Sequence, residues 1–388
     1  MNYRERILAA SRGQRTDRLP FFHFWRHCQT GRAERECRNR GMGVCWLRPP
    51  YAERLHGVDV EEKRTVVKGR AVVRRTFSTP VGAIYEDELR EPGTGNWKGT
   101  RSWKGHQPWI TERLLKVPAD YTVLKYIVEH TEYVADYFGV EQAMEWLGED
   151  GVVLDQLPHS PMQMLMIHWL GSEEGRFFFH MADYPDLVEE LCQAVSKARE
   201  PLYEEIAAKS PAPVAWCGDN IDGVLANPKL FARYFMPEYE KQAKPLHRAG
   251  KLMAVHMDGR LKNLTELIGR TPIDIIEAIH PPPMGDLSIR EALAAWPGKV
   301  LWIGFPSSAY LEGPEATERC ALELLREAGS GERVAIAAST ENLVSNENLL
   351  ALTSVLEKAE LPLNRATVDW IAEALAPALR NKSKAVPG

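Results

Sequence analysis

The stretch Leu252-Met253-Ala254-Val255-His256-Met257-Asp258-Gly259-Arg260 decides how this chain is read. Residues 252–255 form a short apolar strand, entered from the turn-like Arg248-Ala249-Gly250-Lys251. A strand ending in His-x-Asp-Gly presents an imidazole and a carboxylate where the backbone leaves the sheet. Glycine then permits a tight departure into the next helix. A satisfied histidine followed by a turn Asp-Gly would spell the same letters. What favours chemistry is recurrence, because polar strand ends return along the chain.

Working outward, the spacing predicts strands over 213–216, 273–278, 300–305 and 334–338. Helices are predicted over 228–249, 261–268, 289–296 and 316–328. Leu187, Val188, Leu191, Val195, Ala198, Leu202 and Ile206 repeat at helical spacing after Asp183, which is expected to cap that helix. Two further helices are expected over 347–358 and 365–379. Before residue 120 the texture differs. A helix over 4–12 leads through Gly13 to the β-prone Phe21-Phe22-His23-Phe24-Trp25. Residues 65–77 and 84–86 read as a hairpin, turning near Thr79-Pro80-Val81-Gly82. Residues 91–109, with Trp97, Trp103 and Trp109, read as a functional lid.

No Gly-x-Gly-x-x-Gly follows the first strand, which counts against a dinucleotide-binding sheet. The alternation fits an α/β fold, a single (β/α)8 barrel over 1–380. Its decorated N-terminal part is 1–120, and 381–388 read as a frayed tail. The 388 residues are 44% hydrophobic and 26% charged, with a net charge of −5, so a concentrated basic face for nucleic acid is not expected. No apolar run reaches the roughly 20 residues that span a bilayer, and the charged N-terminus carries no signal-peptide core. Six cysteines at 28, 37, 45, 192, 217 and 320 form no CxxC pair. They read as reduced thiols in a cytoplasmic protein.

In a barrel, chemistry gathers at the carboxyl ends of the strands. Those ends offer His23, Trp25, Arg26 and His27, then Cys217-Gly218-Asp219-Asn220, then His256 and Asp258. Next come Glu277 with His280, Phe305-Pro306-Ser307-Ser308, and Ser339-Thr340-Glu341-Asn342. Any single one could be a helix cap or a buried ion pair. Histidine, carboxylate and cysteine from adjacent strands are the ligand types of a catalytic zinc. His256 and Glu277 are the leading metal candidates, with Cys217 a third and Asp258 and His280 behind them.

The chain resembles the uroporphyrinogen decarboxylase superfamily from Arg4-Glu5-Arg6 to about residue 355. The resemblance rests on the opening Arg-Glu-Arg-Ile-Leu-Ala-Ala with Asp17-Arg18-Leu19-Pro20, on Thr79-Pro80-Val81-Gly82, and on Ser160-Pro161. It rests also on Tyr234-Phe235-Met236-Pro237-Glu238-Tyr239 and on Leu246-His247 through His256-x-Asp258-Gly259. It implies the (β/α)8 barrel and, as superfamily barrels often pair, a homodimer. Porphyrinogen decarboxylases carry Met-Arg-Gln-Ala-Gly-Arg-Tyr after the first strand; here Phe24-Trp25-Arg26-His27-Cys28-Gln29 departs from it. Members that methylate coenzyme M bind zinc through His-x-Cys and a later cysteine. Here Asp258 replaces the first sulfur, and Ala337-Ala338-Ser339-Thr340 lacks the second. Cys217-Gly218-Asp219-Asn220, the segment Glu277 to Asp286, and Asp150-Gly151 resemble the branch that demethylates small donors.

That branch passes the methyl group to the cob(I)alamin of a separate corrinoid protein. The expected reaction is demethylation of a small methylated substrate, an aryl methyl ether, by a cobalamin-dependent methyltransferase. His256, Asp258, Asp219 and Glu277 are its expected catalytic residues. A zinc on His256, Glu277 and Cys217, or a positioned acid, would stabilise the leaving oxygen. His23, Trp25, Arg26, Asn220, His280 and Trp103 would bind the donor. The alternatives are a decarboxylase of a porphyrinogen-like or aromatic acid, and a non-catalytic tetrapyrrole- or corrinoid-binding barrel.

Overall fold

Eight parallel strands close on themselves in a computed structural model that describes residues 1–27, 30–89, 110–338 and 344–382. In chain order the strands are β1 (Phe21–Phe24), β2 (Met42–Arg48), β3 (Tyr51–Leu55), β4 (Asp59–Val67), β5 (Arg70–Thr79), β6 (Gly82–Leu89) and β7 (Ile110–Glu112). There follow β8 (Thr131–Ala135), β9 (Gly151–Leu157), β10 (Val214–Cys217), β11 (Leu252–His256), β12 (Ile275–Ile279), β13 (Val300–Gly304) and β14 (Val334–Ala337). The barrel order is β1-β14-β13-β12-β11-β10-β9-β2, with β1 pairing β2 to close it. The α/β (β/α)8 barrel expected from the alternation is therefore the fold.

Two barrel strands, β2 and β9, fall outside the alternation read from sequence. Between them the chain makes a long excursion that builds the β3–β8 pair and the antiparallel sheet β4-β5-β6-β7. The expected hairpin is part of that sheet, with a further turn at Lys68-Gly69, both in the left-handed region. The expected Trp97, Trp103 and Trp109 lid lies outside the described residues, as do Ser339 to Asn342. The helix after Asp183 begins one step later, Pro185–Ala198, and Asp183 instead ends the preceding helix, Arg176–Asp183. Proline at the first helical position, which has no N–H to satisfy and a preset φ, starts this helix without a side-chain cap bond. Among the described residues no helix is long and apolar enough to cross a membrane.

Alternation along each strand divides the side chains into two layers. Phe22, Phe24, Leu154, Val214, Trp216, Ala254, Ile275 and Trp302 fill the barrel. Ala215, Cys217, Val255, Met257, Ile276 and Ile303 face the helices. Below the site, Lys251 at the foot of β11 is buried against Asp155 of β9, with Nζ 2.6 Å from Oδ2. Nζ also donates to the carbonyls of Ala207 and Ser210, and Ser210 Oγ donates to Asp155 Oδ1 at 2.6 Å. Removing one partner leaves a buried, unpaired charge. Lys251→Met is expected to lower unfolding stability by about 3–5 kcal/mol, read as a shift of the denaturation midpoint. Adding Asp155→Leu is expected to restore much of the loss.

Candidate active site

The register of β11 and β12 sets His256 directly beside Glu277, and both side chains point into the barrel. His256 Nδ1 lies 2.5 Å from Glu277 Oε2, and the same oxygen accepts from Trp216 Nε1 at 2.8 Å. Trp216 packs edge-on to the imidazole, ring centres 5.8 Å apart. Asp258 Oδ2 is 3.6 Å from His256 Nε2, beyond a proper hydrogen bond, so that nitrogen is open to a ligand atom.

Burial opposes a charged imidazole here, but the carboxylates of Glu277 and Asp258 outweigh it and push the His256 pKa up to about 10. His256 is thus an imidazolium at neutral pH, oriented by Glu277. Burial raises the Asp258 carboxyl, and the imidazolium more than reverses that, holding it below the usual range. Burial lowers His280, with Asp258 working against it. His27 is pushed down to about 3 by burial, with Arg26, His23 and His256 adding their repulsion.

These groups line a cavity of 270 Å³ together with Phe24, Met284, Phe305 and Ser307. Two backbone features shape it. The β12–β13 register shifts between Glu277 and Ile279, and Ala278 sits at φ 61, a left-handed conformation costly for a residue with a Cβ. Gly304 faces the His280 ring so closely that a Cβ would lie 2.4 Å from Cε1. Gly259 also serves close approach rather than an unusual φ, because a Cβ there would meet Asp222 at 2.5 Å.

Of the residues singled out from sequence, His256, Glu277, Asp258, His280 and Arg26 meet at this cavity. Asn220, at φ 41, lines a neighbouring one. Others do not arrive. Cys217 follows inward Trp216 and therefore faces the helices, its thiol directed to Pro158 O. Asp219 is fully buried on that outer side, accepting from Ser160 N at 2.7 Å and Tyr239 Oη at 2.9 Å. It positions a loop and is sealed from the cavity. His23 is buried outward, 3.7 Å from Glu34. Trp25 stacks on Trp46, ring centres 4.6 Å apart, in the same outer layer. Trp103 lies outside the described residues.

The expected zinc set of His256, Glu277 and Cys217 therefore does not fit, since the thiol and the carboxylate lie on opposite faces of the sheet. Among the described residues no group of three or more His, Cys, Asp or Glu side chains is arranged to hold a metal ion. Sequence reasoning missed His159 and His168, which line the neighbouring cavity; His27, named at its strand end but given no role, lines the first. His159 follows the end of β9 and obeys the strand-end rule; its strand was the one not recognised. No family model matches the chain, and no curated protein matches it.

Because the His256 pKa is raised, the ion pair's contribution to stability is fully present below about pH 6.5 and is lost as pH rises toward 10. Glu277→Gln is expected to lower that pKa and flatten this alkaline slope. Denaturation midpoints between pH 6 and pH 10, with an imidazole NMR titration, measure both.

Proposed function

We propose that this chain transfers a methyl group from a small O-methylated donor, an aryl methyl ether, to a corrinoid carried by a separate protein. The observation that carries this reading is the buried pairing of His256 with Glu277. The imidazole Nδ1 is engaged by Glu277, and its Nε2 stands at the wall of a cavity at the carboxyl end of the barrel. Breaking an aryl ether leaves a phenolate, a poor leaving group until it is protonated or its charge is balanced.

His256 Nε2 supplies that proton to the ether oxygen as the O–CH3 bond breaks. The donor leaves as the neutral phenol, and Glu277 keeps the imidazole oriented and stabilises its charged form. Asp258, 3.6 Å from Nε2, holds the imidazolium toward the opening and assists its return to the protonated state. The reduced corrinoid, as co-substrate, supplies the nucleophile that accepts the methyl group. No step is assigned to zinc, because the ligand set expected for it does not converge. Phe24, Phe305 and Met284 give the cavity the apolar lining suited to an aromatic donor.

The test is methylcobalamin formation from cob(I)alamin with a panel of methoxyarenes, followed by its absorbance. Turnover with at least one donor is expected, and His256→Gln is expected to lower kcat about a hundredfold or more. No methyl transfer from any donor would overturn the assignment. Release of carbon dioxide from an aromatic acid would replace it with decarboxylation, for which the same imidazolium could protonate a carbanion.

A further inference from the structure

A second chamber of 380 Å³ opens beside the acid site and shares Arg26 and His256 with it. The partition between the two is thus one guanidinium and one imidazole. Arg26 lies 5.7 Å from the centre of the Trp216 ring, which lines the same chamber beside the partition. Among the described residues no carboxylate lines this chamber. Its polar groups are those of Tyr51, Gln156, His159, His168 and Asn220, set among apolar surfaces that include Ile167 and Trp216.

The two imidazoles face one another, ring centres 5.0 Å apart and tilted by 40°. His159 follows the end of β9, and His168 is carried by the π-helical turn Met164–Trp169. Such turns are enriched at functional sites. Burial, with Arg199 next, pushes His159 down to about 4; burial, with His159 and Arg113 next, does the same to His168. Both are neutral at ordinary pH, and a neutral imidazole both accepts and donates a hydrogen bond. Arg199 and Arg113 donate to the backbone carbonyls of His159 and Ile167, so these cations stand behind the chamber rather than in it. Neither of these two imidazoles offers a charge, so the cationic groups on the chamber's lining are those of the Arg26–His256 partition. A weakly acidic O–H would find an acceptor, with fixed positive charge nearby to favour density on its oxygen.

We infer that the second chamber recognises a phenolic hydroxyl, so that the donor is a hydroxylated aryl methyl ether whose methoxy group reaches past Arg26 to His256. The inference rests on the proposed methyl transfer for the methoxy end of the donor, and on the chamber alone for the hydroxyl. A site built around hydrogen-bonding groups rejects the analogue that lacks the hydroxyl, because its own buried groups are then left unpaired.

Calorimetric titration of the full chain with guaiacol, anisole and meta-methoxybenzoate tests this. Guaiacol is expected to bind about tenfold or more tightly than anisole, the ratio one hydrogen bond to a buried group supplies. His168→Leu is expected to bring that ratio toward one while leaving the anisole Kd unchanged. His159→Asn, which keeps a hydrogen-bonding group, is expected to retain part of it and serves if the leucine variant does not fold. Equal affinities, absence of binding by both, a ratio insensitive to either substitution, or a preference for the carboxylate would each overturn the inference. Selective guaiacol binding without methyl transfer would remove the proposed reaction and leave the chamber's role standing. Methyl transfer from anisole and guaiacol with equal Kd and kcat would do the reverse.

Discussion

Two neighbouring strands of a parallel barrel place a histidine and a glutamate side by side in a largely buried site, and the site is organised around that pairing. Neither residue is comfortable there alone. A buried carboxylate without a partner is costly, and a buried imidazole ordinarily gives up its proton. Together, at 2.5 Å, they form a fixed imidazolium and carboxylate, and Trp216 takes up a further lone pair of Glu277. One imidazole nitrogen is thereby committed and the other is left for a ligand. The bulge at Ala278 and the bare Cα of Gly304 then give that second nitrogen and His280 a cavity to face.

Much of the barrel was legible because its later strands are short apolar runs alternating with amphipathic helices. The strand limits from sequence and structure differ there by a residue or two, as at 300–305 against Val300–Gly304. The strands β2 and β9 were not legible for a physical reason. The usual rule of one helix between successive barrel strands is broken between them, where the chain builds two small antiparallel sheets before returning. Without β9 in view, nothing in the letters Leu157-Pro158-His159-Ser160 marked a strand end.

Site residues divided along a different line. His256, Glu277 and His280 could be found because a polar residue ending an apolar strand is conspicuous. Which face it takes is a matter of parity, and the strand-end rule alone ignores parity. With Trp216 inward, the pleat sends Cys217 outward, and with Phe22 and Phe24 inward it sends His23 the same way, while Asp219 and Trp25, just past their strands, also pack outside the barrel. Their polar character meets needs in the helical layer, as in the Asp219 contacts to Ser160 and Tyr239. A zinc set that drew on both Cys217 and Glu277 asked one sheet to present opposite faces to a single ion.

The excursion between β2 and β9 has an implication for how this barrel could diversify. It leaves the barrel at Pro49 and Tyr51, which line the second chamber, and rejoins at the amino end of β9, the strand whose carboxyl end leads to His159 in the same chamber. His256 and Glu277 sit on β11 and β12, strands the excursion never enters. Under the proposed reaction, exchanging that cassette would alter the Pro49–Tyr51 side of the second chamber while leaving His256 and Glu277 in place.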